Sequence, residues 1–139
     1  MLKQVQKTMP ITCRGQGFND FTREVKHEVH DSGIITGLVC LFIKDTGCSL
    51  SIQENSNPEI FQNMETLVAH DAPQAHAVRH GQAEAADAHG HTRMALTAVS
   101  LSIPVQNGRL ILGTWQGICL YEHHSHAKNR KIFFHIIGD

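Results

Sequence analysis

The pattern of apolar and polar positions predicts strands over most of the chain. Residues 34–43 are β-branched and almost continuously apolar, which is typical of a central strand buried on both faces. Near the C-terminal end, Asn107-Gly108 lies between two apolar runs, a strong signal for a β-hairpin. The predicted strands lie at residues 2–9, 34–43, 50–53, 100–105, 109–113, 115–121 and 131–137.

Helical spacing of apolar residues predicts two helices. The first runs from residue 18 to about residue 29, with Gly33 as its stop. The second begins at residues 57–58, where Asn-Pro has the form of an N-cap and a first helical residue, and ends near His70. A long loop is predicted at residues 71–90, and loops of this length are usually functional or disordered. Strands with two or three packed helices indicate an α+β fold, which we expect to form one domain over residues 1–139.

Composition and charge argue against a nucleic-acid-binding, a membrane-spanning and a disulfide-bonded protein. A chain of 139 residues with 41% apolar residues can bury one core, and its net charge of −1 offers no field that would attract nucleic acid or an anionic membrane. The longest apolar run, residues 38–43, is far shorter than the roughly 20 residues of a membrane span. The four cysteines are widely spaced without a CxxC motif, which favours reduced thiols and a cytoplasmic protein. Protonating all 11 histidines would change the charge from −1 to +10, so the charge is unusually sensitive to pH.

Three polar clusters are candidates for chemistry. The first is a corner at residues 45–49, between two predicted core strands, and the second is the connection at residues 122–126. Imidazole and carboxylate groups bind divalent ions such as zinc, nickel and iron, so the third cluster is a candidate metal site. This third cluster comprises His76, His80, Asp87, His89, His91 and Arg93. For His70, His76 and His89, a solvated insertion without a metal is an equally good explanation.

A cysteine, three basic residues and the single tryptophan offer other chemistry, and the sequence leaves these alternatives open. Cys48 with a nearby histidine could form a nucleophilic pair. Arg93, Arg130 and Lys131 could bind phosphate, although exposed basic residues are more often plain surface. The single tryptophan, Trp115, could stack on a ring but is expected in the core.

The segment from Ser100 to His123 resembles the signature of the YjbQ family, also called the secondary thiamine-phosphate synthase family. It combines a strand, a proline, a turn glycine and Arg109 with Gly-Thr-Trp-Gln-Gly at residues 113–117 and Glu-His at residues 122–123. The resemblance extends over nearly the whole chain. Further matching positions are Gly37-Leu38-Val39, Glu54-Asn55, Pro58, His80, Asp87, His91, Arg93 and Arg130-Lys131.

This resemblance implies a β-sandwich-type core, a homotrimer and a His-lined cleft compatible with metal and phosphate. Some family members join a pyrimidine pyrophosphate to a thiazole phosphate, so the implied function is an enzyme acting on a small phosphorylated or pyrophosphorylated molecule. Its physiological reaction stays open. The alternative is a diverged, non-catalytic trimeric protein that binds a metal or an anion, and a third possibility is a purely structural subunit.

Candidate roles follow from the resemblance. Arg93 and Arg130 would stabilise charge on the leaving group, and Glu122 would act as a general base or support a ligand. A divalent metal, zinc or magnesium, would be held by Asp45, His80 and His91. The substrate or its phosphate would be bound by Thr46, Ser49, Arg93, Arg130 and Gln116. The chain departs from the family at the corner, where Asp45 replaces the usual histidine, and at Asn57 and Asn63, where aspartate is common.

Overall fold

The computed structural model describes residues 1–54, 98–126 and 128–139. The predicted second helix, the long loop and the candidates His80, His91 and Arg93 lie outside these residues. The described elements are β1 (Lys3–Cys13), β2 (Gly17–Asp20), α1 (Thr22–Ser32), β3 (Gly37–Ile43), β4 (Cys48–Glu54), β5 (Ser100–Gln106), β6 (Arg109–Leu110), β7 (Gln116–Glu122) and β8 (Lys128–Gly138).

Two antiparallel sheets share one hydrophobic core. The larger sheet has the order β1-β8-β3-β5-β6 and the smaller sheet the order β2-β7-β4. Buried side chains from both sheets meet in a single cluster, including Leu41 and Phe134 from the larger sheet and Leu50 and Ile118 from the smaller one. The described residues are thus mostly β-sheet with one helix, which confirms the α+β class in its β-rich form.

Helix α1 lies between the two edge strands of the larger sheet. Its apolar face buries Val25 and Val29 in the core. On one side Glu28 forms an ion pair of 2.7 Å with Lys7 of β1, and on the other side the helix contacts β6. Gly33 ends the helix in the left-handed conformation, with φ of 71°, as predicted. No helix of the described ranges is long and apolar enough to span a membrane.

The predicted start of the first helix was wrong by about one turn. Gly17–Asp20 is strand β2, because Phe18 pairs with Tyr121 of β7 instead of facing the core from a helix. The Asp20 carboxylate then accepts hydrogen bonds of 2.8 Å and 2.7 Å from the backbone nitrogen and the hydroxyl of Thr22. A side chain just outside the helix therefore satisfies one of its first backbone donors.

Two expectations about burial and one about strand length were also wrong. Strand β3 starts at Gly37 and buries one face only, so that Leu38, Cys40 and Phe42 are exposed. Trp115 is 60% exposed rather than in the core. The strand expected at residues 109–113 is limited to Arg109–Leu110. The hairpin turn itself is confirmed, with φ of 55° at Asn107 and 74° at Gly108.

Candidate functional site

Strand β7 separates two groups of polar side chains, because consecutive residues of a strand point to opposite faces. Ile118, Leu120 and Glu122 face the core between the sheets. Tyr121 faces the other side of the smaller sheet, together with its direct cross-strand neighbours Phe18 and Ser49. We call this other side the outer face of the smaller sheet.

On the core side, Glu122 and Arg130 form a buried bidentate ion pair. Both atom pairs, Nε to Oε2 and Nη2 to Oε1, are 2.7 Å apart. The side chain of Glu122 is fully buried and that of Arg130 is 9% exposed. The Glu122 hydrogen bond raises the pKa of the Arg130 guanidinium above its usual value, against the opposing effect of burial. The Arg130 guanidinium therefore stays charged inside the protein.

The ion pair also fixes the corner that joins β3 to β4. Arg130 donates from Nη1 to the Thr46 carbonyl at 2.9 Å and from Nη2 to the Gly47 carbonyl at 3.4 Å. The corner is further fixed at the Asp45 side chain, whose Oδ2 accepts a hydrogen bond of 3.0 Å from the Lys131 backbone nitrogen. Four donor contacts thus engage most of the Arg130 guanidinium with the protein itself, so it holds the corner in place.

Gly47 and His124 fit against each other at the same corner. Gly47 has φ of 85°, a conformation that favours glycine. A Cβ atom added there would overlap the His124 ring. His124 is 9% exposed, and its backbone nitrogen donates to Glu122 Oε1 at 3.2 Å. The carbonyl of Gly47 accepts a hydrogen bond of 3.0 Å from the His123 backbone nitrogen, which ties the corner to the end of β7.

On the outer face, Ser49 and His123 share a buried hydrogen bond. Ser49 Oγ and His123 Nε2 are 3.0 Å apart, and both residues are fully buried. The Tyr121 ring lies 4.4 Å from the His123 ring and 4.1 Å from the Phe18 ring, centroid to centroid. Gln16 Nε2 donates to the His123 carbonyl at 3.2 Å. A hydroxyl and an imidazole in contact can accept, donate and relay a proton.

The buried cysteines are poor nucleophiles. Burial raises the pKa of Cys13 to about 11 and the pKa of Cys48 to about 12. Both thiols are therefore protonated at neutral pH. Cys48 also faces the core, whereas Ser49 and His123 occupy the outer face. The alternative of a nucleophilic pair built on Cys48 is thus disfavoured by both geometry and protonation.

The structure brings together five of the predicted site residues and separates one. Gln116 lies at the opposite end of β7 from Glu122, about 20 Å along the strand. Its Oε1 accepts a hydrogen bond of 2.7 Å from the Gly113 backbone nitrogen. His80, His91 and Arg93 lie outside the described residues. The residues that meet near the corner are Asp45, Thr46, Ser49, Glu122 and Arg130.

His123 and His124 were predicted only as part of the candidate cluster at residues 122–126, without a site role of their own. Both are buried. The period-two pattern of β7 carried the missing signal, because extending it by two residues from Tyr121 places His123 on the same face as Ser49. Within the described ranges, no group of three or more His, Cys, Asp or Glu side chains is arranged to hold a metal ion.

Comparison with known proteins assigns the chain to a family. A sequence model described as "UPF0047 protein YjbQ-like" matches residues 7–139. A UPF0047 protein of Synechocystis is 36% identical over 138 residues, covering 99% of this chain and 94% of that protein. The UPF0047 protein YjbQ of Salmonella typhimurium is 36% identical over 137 residues, covering 96% and 98% of the two chains.

Solved structures share the fold. A YbjQ-like protein of unknown function from Sulfolobus solfataricus superposes with a TM-score of 0.89 at 22% identity, with 100% of both chains covered. A conserved hypothetical protein from Thermus thermophilus gives a TM-score of 0.80 at 30% identity, covering 92% of this chain and 97% of its own. The family match over nearly the whole sequence and these two likenesses agree, and the chain belongs to the YjbQ-like UPF0047 family.

Proposed function

We propose that this protein is an enzyme that acts on a small phosphorylated or pyrophosphorylated substrate at the outer face of the smaller sheet. The observation that carries the proposal is the buried hydrogen bond between Ser49 and His123, 3.0 Å long. Polar side chains that are fully buried at a strand end are uncommon without a structural or functional reason. Here they lie beside a corner that a buried ion pair holds in place, which supports a preorganised site.

Thiamine phosphate formation is the reaction we propose to test first. In that reaction the bond between the pyrimidine methylene carbon and the pyrophosphate oxygen breaks, and pyrophosphate leaves with the electron pair. The thiazole nitrogen uses its lone pair to form the new carbon–nitrogen bond. In our proposal His123 donates a proton to the departing pyrophosphate, while the Ser49 hydroxyl and the exposed Thr46 hydroxyl donate hydrogen bonds to its oxygens.

The ion pair takes a positioning role in this proposal. Arg130 already donates to Glu122 and to two corner carbonyls, so the cation facing the substrate is assigned to Arg93. Glu122 points to the core side of β7, away from Ser49, and holds Arg130 rather than acting as a general base. Gln116 is left out of the site because it lies at the other end of β7.

A divalent ion, zinc or magnesium, belongs to the same proposal. Its ligands would be Asp45, His80 and His91, and one carboxylate with two imidazoles is a donor set that suits zinc. Only Asp45 falls within the described residues. It is half-buried, and one carboxylate oxygen accepts from the Lys131 backbone nitrogen. Bound there, the ion would supply positive charge toward an anionic leaving group.

We also propose that the protein is a homotrimer. The central strands of the larger sheet carry a cluster of exposed apolar side chains on the side away from the core. Leu38 pairs with Ile137, and Phe42 pairs with Phe133 across β3 and β8. All four are between 38% and 45% exposed. A contiguous apolar patch of this kind on a single chain is typical of a subunit interface.

The test measures pyrophosphate release and thiamine phosphate formation, with and without added zinc or magnesium. We expect Ser49→Ala and His123→Gln each to lower kcat at least tenfold. Matched controls are Ser102→Ala on β5, which is exposed, and His135→Gln on β8, which contacts only Gln4 among the hydrogen bonds of the described residues. Both controls lie beside the apolar patch of the larger sheet, so light scattering is run on each of them. With the assembly intact, both should keep wild-type rates.

Three outcomes would count against the proposal. If no turnover is found with any metal but pyrophosphate binds, and Ser49→Ala weakens that binding, the non-catalytic anion-binding alternative holds. If neither turnover nor binding is found, the cluster is a structural feature. Equal rates in Ser49→Ala and Ser102→Ala would show that the reaction takes place elsewhere.

A further inference from the structure

A cleft of about 700 Å³ lies between the C-terminal end of α1 and the β5–β6 hairpin. This volume is within the range of pockets that bind small molecules, roughly 300–1,000 Å³. The cleft lies at the Gly37 end of β3, whereas the Asp45 corner follows the other end, about 20 Å away along the strand. It is therefore a different place from the site of the proposed function.

The ionisable side chains that line the cleft are all basic. Its lining includes Lys26 and His30 from α1 and Arg109 from β6, with no carboxylate among the described lining residues. Two acidic residues contact the lining: Asp31, whose Oδ1 is 3.8 Å from His30 Nδ1, and Asp139, whose backbone oxygen accepts from the Ile35 nitrogen at 3.0 Å and whose side-chain carboxylate pairs with the Met1 amino group. The C-terminal end of a helix contributes roughly half a negative charge. Lys26 and Arg109 together outweigh it, so the cleft favours an anion.

The floor of the cleft is apolar. Val29 and Ile34 are almost completely buried, and Leu110 is 9% exposed. Ile35 stands 54% exposed at the wall, as a large apolar side chain in contact with water. The apolar surface that the cleft exposes to water therefore belongs mostly to Ile35, and a ligand with both a charged and an apolar part would cover it.

The walls are fixed before any ligand arrives. The Gly108 backbone nitrogen donates to the Ile35 carbonyl at 3.0 Å, which ties the hairpin turn to the segment after α1. Gly33 and Gly108 adopt positive φ at the two ends of the cleft, so both turns have defined conformations. A preformed cleft avoids the ordering cost that weakens binding to mobile loops.

We propose that this cleft binds a small amphiphilic anion, with a carboxylate or phosphate head at Lys26 and Arg109 and an apolar tail against the exposed Ile35, over the floor formed by Val29, Ile34 and Leu110. The two head groups share the same recognition chemistry.

The experiment titrates octanoate and octyl phosphate into the full-length protein and follows backbone amide shifts by NMR. We expect saturable shifts centred on Gly33 and Gly108, and comparison of the two titrations identifies the preferred head group. Acetate, which lacks the tail, and octylamine, which carries the opposite charge, should bind at least tenfold more weakly. Arg109→Glu and Lys26→Glu should each weaken octanoate binding at least tenfold, whereas Lys44→Glu, an exposed control at the other end of β3, should not.

Several results would overturn the proposal. Shifts that map elsewhere, equal binding of octylamine, or unchanged affinity in both charge-reversal variants would each do so. Thermal unfolding of every variant is recorded alongside, and Ile35→Ser provides a second test that does not alter charge. It should weaken octanoate binding while leaving the preference for anions unchanged. Thiamine phosphate formation should be unaffected by Arg109→Glu, which separates this site from the proposed catalytic one.

Discussion

The buried Glu122–Arg130 pair shows that charged side chains can be buried and serve a structural role. Removing two charges from water costs several kcal/mol per ion, and bidentate geometry with further hydrogen bonds offsets that cost. Loss of one partner leaves the other charge buried and uncompensated. The pair is therefore better understood as a device that holds the corner than as a source of net stability.

We predict that Glu122→Ala and Arg130→Ala each lower the free energy of unfolding by about 3–5 kcal/mol. The double variant should lose clearly less than the sum, because it leaves no unpaired charge. Chemical denaturation of the four proteins gives the coupling energy. Lys131→Ala, an exposed neighbour, serves as the control and should change stability by less than about 0.5 kcal/mol. Additive losses would show that the two side chains act independently.

The four thiols should differ sharply in reactivity. Cys40 is exposed, whereas Cys13, Cys48 and Cys119 are buried, with pKa values raised by burial to about 11, 12 and 12. We predict that a thiol reagent at pH 8 modifies at most one cysteine per native chain, Cys40, and all four in denaturant. Cys40 lies on the same face of β3 as Leu38 and Phe42, so it should react in dissociated chains and be protected in the assembled protein. Fast modification of two or more native thiols would contradict the burial described here.

The same shifts predict a pH dependence of stability. In the unfolded chain these thiols lose protons around the ordinary pKa of 9.0, but in the folded protein they keep them to about pH 11 or above. The folded state therefore binds more protons above pH 9, and the free energy of unfolding falls as pH rises. Denaturation curves at pH 8 and pH 10 test this, and Cys119→Ala should reduce the difference between them.

At the scale of elements, the corner between β3 and β4 depends on a glycine. Gly47 has a positive φ of 85° and lies close to the His124 ring. Any side chain there would therefore strain the backbone and also overlap the His124 ring. The turn can follow this path only because no Cβ is present. Its carbonyl then reaches both Arg130 and the His123 backbone nitrogen.

We predict that Gly47→Ala destabilises the protein by about 2 kcal/mol or more. It should also lower any activity measured at Ser49 and His123, because the corner must shift away from β7. Gly113→Ala is the matched control, since its Cβ would meet only the flexible Gln116 side chain, at 3.2 Å. Thermal unfolding and the pyrophosphate-release assay measure both effects, and similar losses in the two variants would refute the role given to the corner.

For the molecule as a whole, the larger sheet has two apolar sides, of which only one packs on the core. The other carries Leu38, Phe42, Phe133 and Ile137 in directly paired positions. Assembly of subunits is the simplest way to remove that surface from water.

Light scattering should accordingly give about three times the single-chain mass of 15.4 kDa. Phe42→Lys combined with Phe133→Lys should dissociate the assembly, because it buries charges at the interface. Ile111→Lys, on an exposed apolar side chain beyond β6, should leave the mass unchanged. A mass near one chain for the wild type would refute the trimer, and dissociation by Ile111→Lys alone would move the interface to the sheet edge.

The sequence by itself determined the local features whose causes are local. Asn107-Gly108 predicted the hairpin because few other residues tolerate its two positive φ angles. Gly33 predicted the end of α1 for the same reason, and period-two patterns located most strands. The motif around Trp115 and Glu122 identified the family without any knowledge of where those residues point.

Tertiary structure alone decided which side of each strand is covered and which polar groups meet. The apolar run of residues 34–43 looked buried on both faces, but no described element packs on Leu38, Cys40 and Phe42. Glu122 and His123 are neighbours in sequence, yet they belong to opposite faces of one strand. The contact of Glu122 with Arg130 requires β7 and β8 to converge at the corner, which is a property of how the two sheets pack and has no trace in the spacing of residues along the chain.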